Sequence, residues 1–511
     1  MIALSELHYL IHSLSKSEKR FFKLVAGTQN LSSKAIVQLF DLIESIEPMQ
    51  DAYSVLQNHN DVISTQNMSD LYNYILKSQR GYHVAGILSF NMNNDLADLH
   101  VLFEKAQFKQ CAKMLIALKN KAISKEEFGI LIELIELEKK LLLLEHTAYN
   151  KNNYNHLIEE QEKYLTKDKN LSEYYKLYST IKSHLKNKDF KKQGTQSEYY
   201  ASVLKNTILT DNKKPHSKKA SLLQKKCRAL AFTALKKQDF RKKELLGITE
   251  FFDENSFVFE EMPRQLIDTL YNLSNLFIET KDFNRSKEVL KKMKALLTSK
   301  KIIGHDLKLK LETYCYIVEL LILTYSGKFT ATNTIAADIM EFLYESQNTI
   351  NKEDKSIILF NLINFCIYTG NYSKAEKLLE IQIADSDRKG RIDIRYYSRF
   401  QQLIVMSELD KDLSISLVLD ELNEFKEYEL FNTAVEKSTI QFFRNYKGRN
   451  SPEYRENLKD WFTSLSNSIR NKQEAWSNFF YINTYAYCGS KIGKGTIQEL
   501  IIQNHKFIET H

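Results

Sequence analysis

The chain has 511 residues, of which 43% are apolar and 27% are charged, with only 14 glycines and four prolines. A protein rich in β-sheet needs more turn-forming residues, and strand-like alternation between glycine-containing hairpins is missing, so we expect a nearly all-helical fold. The formal net charge is +8, yet residues 205–243 alone carry +11, so the positive charge is local and the rest of the chain is slightly acidic.

The length also constrains the domain organisation. A single hydrophobic core rarely extends over this many residues, so the alternatives are several domains or an array of repeats whose core extends lengthwise. We expect a helical unit over residues 1–92, helical-hairpin repeats over 93–490 and a carboxyl-terminal capping helix over 491–511.

No apolar run is long enough to cross a bilayer, because the most apolar stretch, Phe128–Leu144, is interrupted by three glutamates and two lysines. The amino-terminal residues do not show a cationic start followed by an apolar block and a cleavage site. We therefore expect a cytoplasmic protein without a membrane partner.

The cysteines argue against several kinds of site. They lie far apart and form no CxxC pair, which disfavours zinc ribbons, redox dithiols and a disulfide framework. We expect all five to be small buried apolar residues. They are Cys111, Cys227, Cys315, Cys366 and Cys488.

The amino-terminal part is predicted to be a small helical bundle. Ser15 and Glu18 form a capping-box pattern, in which serine caps the new helix and glutamate reaches back. The helix that follows ends near Gly27, and further helices are expected over residues 33–46 and 69–80.

This segment is also similar to the helix-turn-helix of LuxR-type regulators, with a capped helix, a glycine, a short turn and a second helix. Acidic residues, among them Glu44, Glu47 and Asp51, surround the helix that would read DNA. Contact with phosphates favours the opposite charge, so we interpret the segment as an ordinary helical hairpin.

The hairpin pattern is clearest over residues 360–379. Gly370 can take the left-handed conformation that ends a helix, and Asn371 can accept amide hydrogens that open the next one. Tyr372 is expected between the two helices, and the small Ala375 lets their backbones approach closely.

An aromatic residue recurs at this turn along the chain. The copies lie at Phe108, Tyr154, Phe190, Phe240, Phe283, Phe329 and Tyr372, and continue less clearly at Leu413 and Tyr454, with spacings of 36 to 50 residues. Six are preceded by a residue suited to a helix cap, namely Asn153, Asp189, Asp239, Asp282, Asn371 or Asp412. The sequence therefore predicts an array of helical hairpins with a long period.

These hairpins resemble the tetratricopeptide repeat. Leu362, Gly370, Asn371, Tyr372 and Ala375 match the family pattern, whereas Ile363 and Cys366 depart from it. A second copy offers Leu273, Ser274, Phe277, Asp282, Phe283 and Ser286, with Lys281 in place of glycine. The resemblance implies a right-handed α-solenoid of antiparallel hairpins with a groove for a peptide or helix.

The basic region 205–243 is the one strong charge feature. It could bind phosphates or an acidic protein segment, or it could be a solvated loop and helix face of a lysine-rich protein. The candidate residues are Lys213, Lys214, Lys218, Lys219, Lys225, Lys226, Arg228, Lys236, Lys237, Arg241, Lys242 and Lys243.

Catalytic and metal-binding patterns are weak. The segment Gly489–Thr496 fails the phosphate-loop template because its glycine spacing is wrong, so we expect a hinge before a last helix over 497–509. His8 and His12 can share one helix face, but no third ligand stands at a suitable distance. We expect no catalytic residue, metal or cofactor.

The sequence favours a non-enzymatic scaffold that binds a protein or peptide in a solenoid groove. A regulator that contacts nucleic acid through residues 205–243 is the second hypothesis. An enzyme whose site is assembled from scattered residues is the third.

Overall fold

A computed structural model describes residues 4–27, 32–46, 64–83, 88–144, 151–186, 193–210, 214–299, 304–329, 332–346, 349–384, 391–425, 433–470 and 479–509. Within these ranges the chain forms 24 α-helices and no β-strand, which confirms the prediction of an all-helical protein. Every described helix is too short or too polar to span a lipid bilayer. The chain divides into two compact units.

The first unit comprises Met1–Ser124 and Glu133–Tyr149. Its helices are α1 (Leu4–Ser13), α2 (Lys16–Gly27), α3 (Ser32–Glu44), α4 (Thr65–His83), α5 (Leu88–Glu104), α6 (Phe108–Lys125) and most of α7 (Phe128–Leu144). Buried apolar side chains from α1 to α4 form one core, as expected for an amino-terminal bundle. They are Leu7, Ile11, Phe22, Ala26, Ile36, Leu39, Phe40, Ile43, Leu71 and Ile75.

The start of α2 confirms the predicted capping box. The Ser15 amide donates to Glu18 Oε2 at 2.7 Å, and the Glu18 amide donates to Ser15 Oγ at 3.3 Å. On α2, Lys23 Nζ lies 2.8 Å from both Asp41 Oδ1 and Glu44 Oε2 of α3. Hydrogen bonds to these carboxylates raise the pKa of Lys23, so the acids of α3 bind the neighbouring helix.

The second unit comprises Lys125–Ile132 and Asn150–His511. Its helices are α8 (Lys151–Lys186), α9 (Gln193–Leu204), α10 (Lys218–Ala234), α11 (Gln238–Glu254), α12 (Ser256–Glu261), α13 (Pro263–Glu279), α14 (Phe283–Thr298), α15 (His305–Tyr325), α16 (Thr332–Glu345), α17 (Lys352–Tyr368), α18 (Tyr372–Ala384), α19 (Ile392–Glu408), α20 (Ile415–Leu422), α21 (Ala434–Arg444), α22 (Tyr454–Arg470), α23 (Phe479–Lys491) and α24 (Ile497–Glu509). The last helix lies where the sequence predicted it.

Helices of the second unit pack in chain order. α13 contacts α15, α15 contacts α17, and α17 contacts α19. α14 packs against both α13 and α15, and α18 packs against both α17 and α19. Each of these helices therefore buries its apolar side against its neighbours in the sequence.

The turn between α17 and α18 has the predicted geometry. Gly370 has a φ of 72°, its amide donates to the Ile367 carbonyl at 3.1 Å, and the Asn371 amide donates to the Cys366 carbonyl at 2.8 Å. This pair of bonds is the Schellman motif, which satisfies the last carbonyls of a helix. The left-handed glycine predicted at this position is confirmed.

Other helices end with a left-handed residue in comparable turns. These residues are Ala106, Lys236, Lys281, Gly327, Asp410 and Gly493. From Lys236 to Asp410, with Gly370 included, successive left-handed residues are 40 to 46 positions apart, which agrees with a long period. The aromatic residues Phe108, Phe283, Tyr372 and Tyr454 are each the first residue of a helix. Phe329 lies between α15 and α16, with its ring centroid 6.2 Å from that of Phe365.

Three predicted helix caps are wrong: Asn153, Asp239 and Asp412, the last of which begins a short 3-10 helix (Asp412–Ser414) that Lys411 precedes. Tyr154 lies inside α8, a single helix from Lys151 to Lys186. Asn153 therefore does not cap a helix, and no turn interrupts the chain between Lys151 and Lys186. The helix continues because it contains neither glycine nor proline, and Leu157, Tyr164, Leu171 and Tyr178 keep one buried face at seven-residue intervals. Phe190 lies outside the described residues.

The second correction concerns α11. It begins at Gln238, and the residue that precedes it is Lys237. Asp239 therefore lies in the first turn of the helix rather than at its cap, and Phe240 follows one residue later.

Small residues lie where paired helices approach closely. Ser274 on α13 and Ser286 on α14 are fully buried, and their hydroxyl oxygens are 2.7 Å apart. Ala375 on α18 is likewise fully buried. These three small side chains therefore lie in the interior, whereas Ser416, which was also expected to permit close packing, is exposed.

We expect Gly370→Ala to lower the free energy of unfolding by about 1–2 kcal/mol, because an L-residue is strained at this φ. No heavy atom would meet the added Cβ within 4 Å, so the effect isolates the backbone. At the equivalent turn, Lys281→Gly should be more stable than Lys281→Ala, since both remove the side chain and only glycine relieves the φ of 62°. Thermal unfolding of the full chain measures both; an alanine variant at least as stable as its glycine partner would contradict the expectation.

We expect Ser286→Leu to destabilise the second unit by about 1–3 kcal/mol through overpacking. Ser286→Ala should cost only about 1 kcal/mol, the contribution of one hydrogen bond. Because Ser274→Ala/Ser286→Ala removes both partners, its loss should be smaller than the sum of the two single variants. Urea unfolding of these four variants and of the unmodified chain measures this, and equal costs for leucine and alanine would argue against a tight crossing.

Candidate functional site

The basic region of the second unit spans the turn after α9, helix α10 and the first part of α11. Ser217 caps the start of α10, because its hydroxyl accepts from the Ala220 amide at 3.0 Å. The Glu126 carboxylate also accepts from the amides of Lys218 and Lys219 at 2.7 and 2.9 Å. Lys213 lies outside the described residues.

Three of the predicted cations are buried and bound inside the protein. Lys219 Nζ donates to Glu127 Oε1 at 2.5 Å, Lys226 Nζ donates to Gln265 Oε1, and Arg241 Nη1 donates to Glu279 Oε2 at 2.7 Å. Their charges stabilise contacts between helices, so they contribute little to an external binding surface.

Lys226 shows how strongly burial acts here. Burial lowers the pKa of its ammonium to about 8, although nearby Asp268 opposes the shift. Its Nζ also lies 5.6 Å from the centroid of the Tyr178 ring. Lys226 is therefore part of a polar contact among α8, α10 and α13.

The remaining basic side chains include three that converge on one cleft. Lys225 and Arg228 of α10 and Lys243 of α11 line a cleft of about 810 Å³. Leu204, Leu209 and Thr210, at the end of α9 and in the turn after it, complete its wall. Lys243 is exposed, and Lys225 and Arg228 are half-buried, so each of the three side chains keeps part of its surface open to solvent.

An aromatic pair lies beside these cations. Phe232 and Phe240 both line the cleft, and their rings stack with centroids 5.1 Å apart. Phe240 is 56% exposed, a large fraction for a phenylalanine. The cleft therefore offers an apolar face together with positive charge.

Two carboxylates also line the cleft, Glu244 and Glu250. Burial raises the pKa of Glu244, against the opposite influence of Arg228, Lys225 and Lys243. Arg228 Nη2 donates to the Leu209 carbonyl at 2.5 Å, which ties the turn after α9 to α10. The charge of the cleft is thus mixed, with cations in excess.

The other predicted basic residues that the structure describes do not line this cleft. Lys218 Nζ lies 5.3 Å from the centroid of the Phe257 ring, and Lys242 Nζ lies 5.6 Å from that of Phe277. Lys214, Lys236 and Lys237 are exposed, and Lys237 Nζ lies 6.0 Å from the centroid of the Phe240 ring. The structure therefore separates one charged stretch of sequence into internal, cleft and surface cations.

Sequence reasoning missed Phe232, Glu244 and Glu250. A signal was present, since Lys225, Arg228 and Phe232 follow the three- and four-residue spacing of one helix face. Phe240, Lys243, Glu244, Gly247 and Glu250 repeat that spacing on α11. Their common cleft depends on how α10 packs against α11, which the charge pattern alone does not determine.

A second polar cluster surrounds Glu408 at the end of α19. Its side chain is 3% exposed and lies 3.3 Å from Arg449 Nη1 and 2.5 Å from Lys491 Nζ. The Tyr487 hydroxyl donates to it at 2.5 Å, and Lys491 Nζ lies 5.6 Å from the centroid of the Tyr372 ring. Three donors satisfy this buried carboxylate, so we assign it a role in holding α23 against α19.

The predicted histidine pair lies on α1 and faces the end of α3. His8 Nε2 is 2.9 Å from the Ile46 carbonyl, and His12 Nε2 is 3.3 Å from that of Ile43. The rings thus contact backbone oxygens. Among the described residues, no three histidine, cysteine, aspartate or glutamate side chains come together as a metal site.

All five cysteines are free and buried, as expected. Burial raises the pKa of Cys227 and Cys315 to about 12 and that of Cys366 to about 11. It also raises the pKa of Cys111 and Cys488. These thiols are protonated at neutral pH and therefore weak nucleophiles.

No protein-family model, curated protein or solved structure matches this chain. The resemblance of its hairpins to tetratricopeptide repeats therefore rests on the residues and turns described above. The cleft between α10 and α11 and the packing of the helices around it are the features of the chain that bear on its function.

Proposed function

We propose that the chain is a non-enzymatic scaffold that captures an acidic segment of a partner protein in the α10–α11 cleft. Its fold would be an α-solenoid of antiparallel helical hairpins, similar to a tetratricopeptide superhelix. The observation that carries the proposal is the convergence of Lys225, Arg228 and Lys243 around the exposed Phe240.

The helix packing supports the solenoid. Contacts from α13 to α15, α17 and α19, with α14 and α18 between them, are those expected when hairpins stack side by side. Turns 40 to 46 residues apart give each hairpin a similar length. Such stacked helices present faces on which a peptide or helix can bind.

The lining of the cleft favours a peptide over a polyphosphate chain. Cations attract carboxylates, and the stacked rings of Phe232 and Phe240 offer an apolar contact for one side chain. Glu244 and Glu250 would repel a continuous phosphodiester backbone. A peptide can instead present amide hydrogens to these carboxylates, so its mixed chemistry fits the mixed lining.

The proposal is tested with a short fluorescent peptide in which aspartates flank one phenylalanine, measured by fluorescence anisotropy with the full chain. The same peptide with asparagines in place of aspartates is the matched control. Binding of the acidic peptide alone supports the proposal. Tighter binding of a single-stranded oligonucleotide, with affinity falling steeply as salt rises, would favour nucleic acid instead.

We expect Lys225→Glu and Lys243→Glu each to weaken peptide binding about tenfold, because each places a carboxylate where the ligand needs a cation. Lys236→Glu is the matched control, since Lys236 is exposed in the same basic region but does not line the cleft. Its affinity should stay within about twofold of the unmodified chain. An equal loss from all three variants would mean that diffuse charge, and not the cleft, binds the peptide.

We expect Phe240→Ala to reduce peptide affinity at least about tenfold, as for an aromatic anchor at an interface. Its effect on the melting temperature should be small, because more than half of the side chain is already exposed. Leu413→Ala is the control, since Leu413 is 94% exposed elsewhere in the second unit, and should change neither property. A large fall in melting temperature for Phe240→Ala would instead indicate a structural role.

A further inference from the structure

A small polar cavity lies where α18, α19 and α20 meet, and it shares no lining residue with the α10–α11 cleft. Its volume is about 240 Å³. Pockets for drug-sized ligands have roughly 300–1,000 Å³, so this cavity suits a compact solute.

Two side chains of its lining carry buried polar atoms without a hydrogen-bond partner. They are Oε1 of Gln382 and Oγ of Ser398, and these residues are only 4% and 2% exposed. Gln382 Nε2 donates to the Ser356 hydroxyl at 2.9 Å and to the Ser356 carbonyl at 3.2 Å. These bonds fix the amide group with its oxygen unpaired, an arrangement that folded proteins largely avoid.

The charged side chains of the lining balance one another. They are Arg395, Arg399, Glu421 and Glu424. Arg399 Nε lies 3.0 Å from Glu421 Oε2, and the guanidinium of Arg395 lies 5.6 Å from the centroid of the Phe425 ring. A lining with two cations and two anions favours a ligand that itself carries both charges.

We propose that this cavity binds a free α-amino acid in its zwitterionic form. The ligand ammonium donates to Gln382 Oε1 and to the Glu424 carboxylate, and the ligand carboxylate accepts from the Ser398 hydroxyl and Arg395. Ile383 and Phe425 contact the ligand side chain. Both unpaired atoms belong to side chains that line the cavity, and each gains a partner from the ligand.

The test uses the full chain and the twenty L-amino acids, each added alone at millimolar concentration, with thermal unfolding and then titration calorimetry as readouts. We expect at least one amino acid to raise the melting temperature and to release or absorb heat on binding. Its methyl ester and its N-acetyl derivative, which each lack one charge, should bind at least about tenfold more weakly. Absence of a shift with all twenty would overturn the proposal, and so would equal binding of the blocked derivatives.

Ser398→Ala separates ligand binding from stability. Because the hydroxyl has no partner, its removal should leave the melting temperature of the free protein unchanged or higher, while amino acid affinity falls at least about tenfold. Ser407→Ala is the matched control on the same helix, since Ser407 is equally buried but donates to the Ile404 carbonyl at 2.8 Å. It should lower the melting temperature and leave affinity unchanged.

Two further outcomes complete the test. Destabilisation by Ser398→Ala as large as that by Ser407→Ala would show that a structural water satisfies the serine, and would overturn the proposal. The Lys225→Glu variant should retain amino acid binding, because Lys225 does not line this cavity. A failure of the peptide cleft is thus distinguishable from a failure of the amino acid site.

Discussion

The structure of the second unit depends on how its helices end. A helix leaves its last carbonyls without intrahelical donors, and a left-handed residue in a Schellman turn supplies two donors while reversing the chain. After Lys236, Lys281 and Gly370 the next helix begins only two residues later. Because the connection is so short, the second helix has to pack against the first. Where the left-handed residue is Lys236 or Lys281, the strain of that backbone conformation is offset by the packing that follows it.

The candidate cleft is a product of one such turn. Lys236 has a φ of 55°, and α10 and α11 lie on either side of it. The turn places the face with Lys225, Arg228 and Phe232 beside the face with Phe240 and Lys243. Three cations separated by up to 18 positions in the sequence thereby share one cleft. The cleft is thus fixed by backbone geometry before any partner is present.

Much of the helical framework is predictable from local chemistry. Glycine at Gly370 and the capping box at Ser15 each identify a helix boundary, because few residue types suit those positions. Lysine and alanine are common throughout helices and do not identify a helix boundary, so the left-handed turns at Lys236 and Ala106 could not be predicted from the sequence. Asn153 shows the opposite error, since a cap residue beside an aromatic also fits the interior of a long helix with one apolar face.

The site was less predictable than the fold. The sequence identified a basic region, but Lys226 and Arg241 carry the same formal charge as Lys243 and only packing separates them. A lysine that faces Gln265 across a helix contact is indistinguishable, in sequence, from one that faces solvent. The cavity near Ser398 left no pattern at all, because its lining comes from α18, α19 and the segment around α20. Long-range neighbours of this kind are determined by tertiary contacts alone.

The burial of every native thiol has a practical consequence for studying partner binding. Alkylating dyes react with thiolates, and the elevated pKa of Cys227, Cys315 and Cys366 leaves very little of that form at neutral pH. A new cysteine placed on an exposed surface position can therefore be coupled selectively without first replacing the natural ones. The natural chain can therefore serve, without cysteine replacement, as the parent protein for site-specific spectroscopic labelling.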